Sequence, residues 1–157
     1  HISGGKAGDQ TGSEVKTGDY YQFGQSSIVR FREVDHGRLM GRIAKRLANN
    51  SSIGYDKSNR SSLYNLAAEA SWNMDDLIKL LKKKNVECDC SSFAATCINL
   101  TFEKRVVPCF STQGIYSACI KQNPKLFKTA SVKISEQNGF HKGDLVYRPG
   151  RHVIINI

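Results

Sequence analysis

Apolar residues recur along this chain at two spacings, and the switches between them outline its elements. Leu39, Met40, Ile43, Ala44 and Leu47 keep a helical repeat, with Asp35 as the expected cap and Asn49-Asn50-Ser51-Ser52 closing the helix. Leu63, Leu66, Ala67 and Ala70 predict a second helix, and Asn73 caps a third that carries Leu77, Ile78 and Leu81. Phe93, Ala94, Cys97 and Ile98 predict a fourth, which starts where the polar turn from Glu87 to Ser92 gives way. Thr112 to Ile120 reads as a short helix.

Strand patterns cover Tyr20 to Phe23 and Ser27 to Val34, then Val106-Val107 until Pro108, and an extended stretch from Leu126 to Ile134. The chain closes on a hairpin. Gly143 to Arg148 and His152 to Ile157 are rich in Val, Ile, Leu and Tyr, and Pro149-Gly150 fits the two central positions of a type II turn. Residues 1–19 are Gly-rich and polar. The sum is an α+β plan, with helices early, strands late and no internal repeat.

Length and composition narrow the class. A chain of 157 residues is expected to form one domain, residues 1–157, with a core large enough to need no staples. Its 39% hydrophobic and 24% charged content is that of a globular protein and argues against extended disorder. No apolar run approaches the roughly 20 residues that span a bilayer, and no basic-then-apolar signal opens the chain. The first residue, His1, is read as the start of an excised domain or processed product.

A net charge of +9 implies anionic surroundings. Lys82-Lys83-Lys84 follows a helical pattern and reads as the solvated last turn of that helix. Charge alone does not choose among nucleic acid, an acidic membrane and an anionic polymer of a bacterial wall, but without an RNA-binding aromatic signature, zinc finger or clear helix-turn-helix, nucleic acid is a weak second choice. Gly4-Gly5-Lys6 lacks phosphate-loop spacing, so no nucleotide cofactor is expected.

Five cysteines, at 88, 90, 97, 109 and 119, leave at least one thiol free. Cys88 and Cys90 have no second cysteine or histidine pair at zinc spacing, so no metal is expected. Cys97 is expected as a small buried hydrophobe, and Cys109 with Cys119 could pair if the protein matures outside the cell. Cys90, at the first turn of the predicted fourth helix, stands where unpaired N–H groups and the helix dipole favour a thiolate and lower its pKa toward neutrality. The polar run from Cys88 to Ser92 argues against its deep burial. His152 opens a strand 62 residues later and is the matching base. The Cys90 backbone N–H is a candidate oxyanion donor.

Asp89-Cys90-Ser91 with Gly143-Asp144-Leu145-Val146 and His152-Val153 resembles the NlpC/P60 superfamily of papain-like cell-wall cysteine peptidases. Gly8-Asp9-Gln10-Thr11-Gly12 and Ile53-Gly54-Tyr55-Asp56 extend the likeness to phage and prophage lysin domains, so it runs through most of the chain. The resemblance implies a papain-like fold with the nucleophile helix packed on an antiparallel sheet, and hydrolysis of an amide bond in bacterial peptidoglycan by Cys90 and His152. It implies that Tyr55 and Asp89 line the pocket for the substrate's peptide. It also implies a site of action at the bacterial cell wall and, as the nearest activity, endopeptidase cleavage of a D-γ-glutamyl or glutaminyl bond to the diamino acid. A muramoyl-L-alanine amidase with the same site and an inactive basic binding module are the alternatives. For the residue that orients the histidine, Asp9 and Gln10 are the candidates, since Asn156 lies some 13 Å along the strand from His152 at roughly 3.3 Å per residue.

Overall fold

The computed structural model describes Val15, residues 17–19, 26–132 and 139–157. The strand expected at Tyr20 to Phe23, the end of the extended stretch at Ile134, and Asp9 and Gln10 lie outside those residues. Within them, six strands and four α-helices form two sheets around one long buried helix.

Strand β1 (Ser27–Phe31) lies at the centre of the larger sheet, antiparallel to β4 (Phe127–Ala130) on one side and to β5 (Leu145–Arg148) on the other. The hairpin partner of β5, β6 (His152–Ile155), completes the order β4-β1-β5-β6. Its turn is as predicted: Gly150 has φ +71° and the Arg151 N–H donates to the Arg148 carbonyl at 3.0 Å.

Alternation sorts the side chains of this sheet onto two faces. Val29, Phe31, Leu145, Tyr147, Val153 and Ile155 join the main core, while Ile28, Val146 and Ile154 build a smaller cluster with Ala130, Val132 and Phe140. His152 has the parity of Ile154.

Helix α1 (Val34–Ala48) buries Met40, Ile43, Ala44 and Leu47, the repeat seen in the sequence. Its cap is Glu33 rather than Asp35, which lies in the first turn, where a carboxylate still meets the positive helix end. Helix α2 (Ser62–Glu69) and helix α3 (Met74–Leu81) follow, the latter capped as expected by the Asn73 side chain, which accepts from the Asp75 and Asp76 N–H groups at 3.0 and 3.1 Å. Lys82 closes α3, as the charge pattern implies.

Two strands of the fold are not apparent from the pattern. β2 (Ile53–Tyr55) and β3 (Val86–Cys88) form a parallel pair, and all three residues of β3 are buried. The stretch from Glu87 to Ser92 is therefore not a polar turn: it is the end of a buried strand running into a helix cap. Val106-Val107 is not a strand either. The N–H groups of both residues donate to the Asn99 side-chain oxygen at 2.9 Å, and the Val107 carbonyl accepts from the Asn99 amide and the Tyr64 hydroxyl. A buried asparagine satisfies the backbone that a strand partner would otherwise serve. Between 112 and 121 the expected short helix is present as a π-helix, Tyr116–Lys121.

Helix α4 (Cys90–Thr101) is buried at every position and packs against α1, α2 and β6. Its core thus presses the start of one motif, at Cys90, against the strand that carries the other.

Candidate active site

Cys90 is the first helical residue of α4, as the sequence predicts. Asp89 caps that helix in a full capping box: its carboxylate accepts from the Ser92 N–H at 2.6 Å, and its own N–H donates to the Ser92 hydroxyl at 2.9 Å. This cap fixes the first turn and aims its N–H groups.

The thiol is more deeply set than its polar neighbours imply. Cys90 is only 7% exposed, and burial pushes its pKa up, with the Asp89 charge adding to the rise. Backbone N–H groups of Val153, Ser91 and Cys90 itself pull the other way without reversing it. The expectation of a thiol already lowered by the helix dipole is thereby corrected: desolvation outweighs the helix end in the resting protein. All five cysteines are free thiols, so Cys109 and Cys119 are unpaired with each other, and Cys97 is a wholly buried hydrophobe.

The hydrogen bond from Val153 joins the two motifs. Val153 follows His152 in β6, and its N–H points off the open edge of the sheet to the Cys90 sulfur. His152 is half-buried with its Nε2 screened from solvent, and burial holds its pKa below the ordinary histidine value. In the resting state both groups are thus biased toward neutral thiol and neutral imidazole.

Tyr55 and Asp89 also come to this end of α4. Tyr55 pairs with Cys88 across the parallel strands, and burial together with the Cys90 and Asp89 charges raises its phenol to about 12. The phenol therefore stays protonated and available as a donor. The Asp89 carboxylate is held below its ordinary range: burial pushes it up, but Arg60, the Ser92 N–H and the Ser91 hydroxyl push harder the other way.

Arg60 is the residue the sequence did not disclose. Its Nε donates to Asp89 Oδ2 at 2.6 Å, and its Nη2 reaches Asp89 Oδ1 at 3.3 Å, the Ser91 hydroxyl at 3.0 Å and the Phe110 carbonyl. One guanidinium ties the α4 cap to the loop at Phe110. It sits in Ser58-Asn59-Arg60-Ser61, a polar run without periodicity, so only the fold marks it.

Glu87 is another surprise, a 1% exposed acid whose side chain hydrogen-bonds the Asp56 carboxylate. Ser62 brackets it, donating to its carbonyl at 3.0 Å and accepting from its N–H at 2.7 Å.

The second motif is mostly architecture. Gly143 has φ +82°, and a Cβ there would lie 2.4 Å from the Gly37 carbonyl oxygen of α1. Asp144, fully buried, takes both Nε and Nη2 of Arg30, at 2.8 and 2.6 Å, and the His141 N–H at 2.8 Å. Leu145 and Val146 then enter opposite faces of the sheet. Gly-Asp-Leu-Val is thus the joint that sets β5 against α1 and so places β6 beside Cys90.

Among the described residues no helix is long and apolar enough to cross a membrane, and no group of three or more His, Cys, Asp or Glu side chains could hold a metal ion. No curated protein and no solved structure matches the chain. The model of the endolysin-like domain family matches residues 1–157, and the chain belongs to that family: it is a phage endolysin-like protein with a lysin-type function at the bacterial cell wall.

Proposed function

We propose that this chain is a papain-like, NlpC/P60-type cysteine hydrolase that cuts an amide bond in the stem peptide of bacterial peptidoglycan. The observation that carries the reading is the bond from the β6 backbone, one residue past His152, to the sulfur of a cysteine at a capped helix start. Cys90 attacks the carbonyl carbon while His152 takes the thiol proton; the imidazolium then protonates the leaving nitrogen, and water releases the acyl group from sulfur. N–H groups of Cys90 and Ser91, at the helix start beside the sulfur, are the donors this reading assigns to the developing oxyanion. His152 has the strand parity of Ile154, on the face of the sheet opposite the main core that holds Cys90, so as base it would have to reach the thiol around the open edge of β6.

With a raised thiol and a lowered imidazole, proton transfer accompanies attack instead of preceding it. The sign for pH follows from the base: His152 must be neutral, and its pKa lies below the ordinary value. Activity is therefore lost as pH falls through that depressed value, and it persists at pH values where an unperturbed histidine is already charged. A pH profile of kcat/KM checks this; an acid limb centred at or above the ordinary histidine value contradicts it.

The bond is assigned to D-γ-glutamyl–diamino acid endopeptidase cleavage, with the muramoyl-L-alanine amide as the neighbouring candidate for the same site. A second reading has one observation in its favour: a thiol buried and raised is also what a non-catalytic, basic wall-binding module would keep. Purified peptidoglycan treated with the protein and with Cys90→Ala or His152→Ala separates them. New amino termini by mass spectrometry, absent with both variants, establish the hydrolase and its bond. Binding without new termini establishes the module. The net charge of +9 implies that binding to anionic wall polymer weakens as salt rises.

A further inference from the structure

The polar group that this site offers to a substrate is a cation, although the motif places an acid there. Both oxygens of Asp89 are occupied: Oδ1 accepts from the Ser92 N–H, the Ser91 hydroxyl and Arg60 Nη2, and Oδ2 from Arg60 Nε. Its side chain is 15% exposed, while that of Arg60 is 28% exposed. Arg60 spends Nε and Nη2 on Asp89, Ser91 and Phe110 and its guanidinium also contacts the Cys109 thiol, while Nη1 takes no oxygen or nitrogen acceptor among the described residues. The guanidinium is within electrostatic reach of the Cys90 and Cys109 thiols, which puts a partly exposed cation beside the nucleophile.

A substrate ammonium would meet a carboxylate already neutralised by its own arginine. A substrate carboxylate would meet two planar N–H donors on a cation, the geometry guanidinium groups use for carboxylates. We propose that Arg60 is a specificity-determining residue that reads a free carboxylate beside the scissile amide, through Nη1. Resting on the stem-peptide reading above, this assigns the substrate as the glutamyl form, whose α-carboxylate is free, over the glutaminyl form, where that group is an uncharged amide. The amide would keep one acceptor oxygen but set an NH₂ donor against the second guanidinium N–H and bring no negative charge to a cation shared with Asp89, so the site is expected to discriminate against it.

The test is a pair of synthetic muropeptides that differ only in D-isoglutamate or D-isoglutamine, each measured for kcat/KM with the wild-type chain, Arg60→Gln and Arg60→Lys. Wild type is expected to favour the isoglutamate peptide by roughly tenfold or more. Arg60→Gln should bring that ratio near one by losing much more rate on isoglutamate than on isoglutamine, and Arg60→Lys should keep part of the ratio. Merely structural damage would lower both substrates together, and circular dichroism with a melting curve identifies a variant that fails to fold. In that case the wild-type ratio and Arg60→Lys decide. Equal wild-type rates on the two peptides overturn the inference and leave the hydrolase standing. Cleavage of neither overturns the stem-peptide reading and this inference with it.

Discussion

Two arginine–aspartate pairs, one in each half of the recognised motif, do different work. Arg30 and Asp144 meet fork to fork, with side-chain exposures of 14% and 0%, and the remaining Arg30 contact goes to the Gly139 carbonyl. Arg60 and Asp89 meet mainly through one oxygen, with exposures of 28% and 15%, and they share their remaining capacity with Ser91, Ser92 and Phe110. Each arginine spends Nε and Nη2 on its partners, so the difference lies in depth and place: the first pair, with Asp144 fully buried, joins β1 to β5, and the second, more exposed, lies beside Cys90. An aspartate in a motif can therefore mark architecture or chemistry, and its burial and neighbours tell the two apart.

The largest expected effect comes from breaking the locked pair. Asp144→Ala leaves the Arg30 cation buried without its counter-charge and should cost about 3–5 kcal/mol of stability. Denaturant unfolding measures it. The double change Arg30→Met with Asp144→Leu removes both charges and should recover most of that loss, because the uncompensated ion, more than the missing contact, carries the cost. If the double variant is no more stable than Asp144→Ala, the lock is not an electrostatic one.

Asp89 should be less costly to remove and more informative for function. Asp89→Ala loses the α4 cap, worth about 1–2 kcal/mol, and frees Arg60 from the helix start. Asp89→Asn keeps an acceptor for the Ser92 N–H but not the charge, so it should retain most of the cap while loosening Arg60. The carboxyl pKa is depressed in the folded state. Its contribution is fully present above the unfolded carboxylate pKa and is lost as pH falls through the folded value. Unfolding curves in the acid range should show a shallower loss of stability in Asp89→Asn than in the wild type; parallel curves would remove Asp89 from the stabilising side.

What the sequence disclosed follows the same division between local and distant causes. The α1 repeat, the Asn73 cap, the Pro149-Gly150 turn and the helix start at Cys90 are set by residues within a few positions of one another, and each is found where the pattern puts it. β2 and β3 are three residues each, interrupted by Gly54 in one and by buried Glu87 in the other, and they are paired across two helices. No alternation survives at that length. The depth of Cys90 is hidden in the sequence for a related reason: Asp89, Ser91 and Ser92 are polar, but their groups are consumed by a capping box and by Arg60, so the turn is buried with its partners. Arg60 itself was illegible because its role exists only after α2, α4 and the Phe110 loop converge.

A third arginine–aspartate pair gives the smallest effect and the strictest control on the comparison. Arg46 and Asp75 lie 3.1 Å apart, closer than the second contact of Arg60 with Asp89 at 3.3 Å, but their side chains are 52% and 76% exposed. Water already serves both groups there, and fixing two flexible side chains offsets much of what attraction remains. Arg46→Ala should change stability by about 0.5 kcal/mol or less, while Asp144→Ala costs several times more. Equal losses in the two variants would mean that contact distance sets the energy. The expected order, with the exposed pair far below the buried one, means that desolvation does, and that the half-exposed Arg60 is the pair whose partner a substrate can still influence.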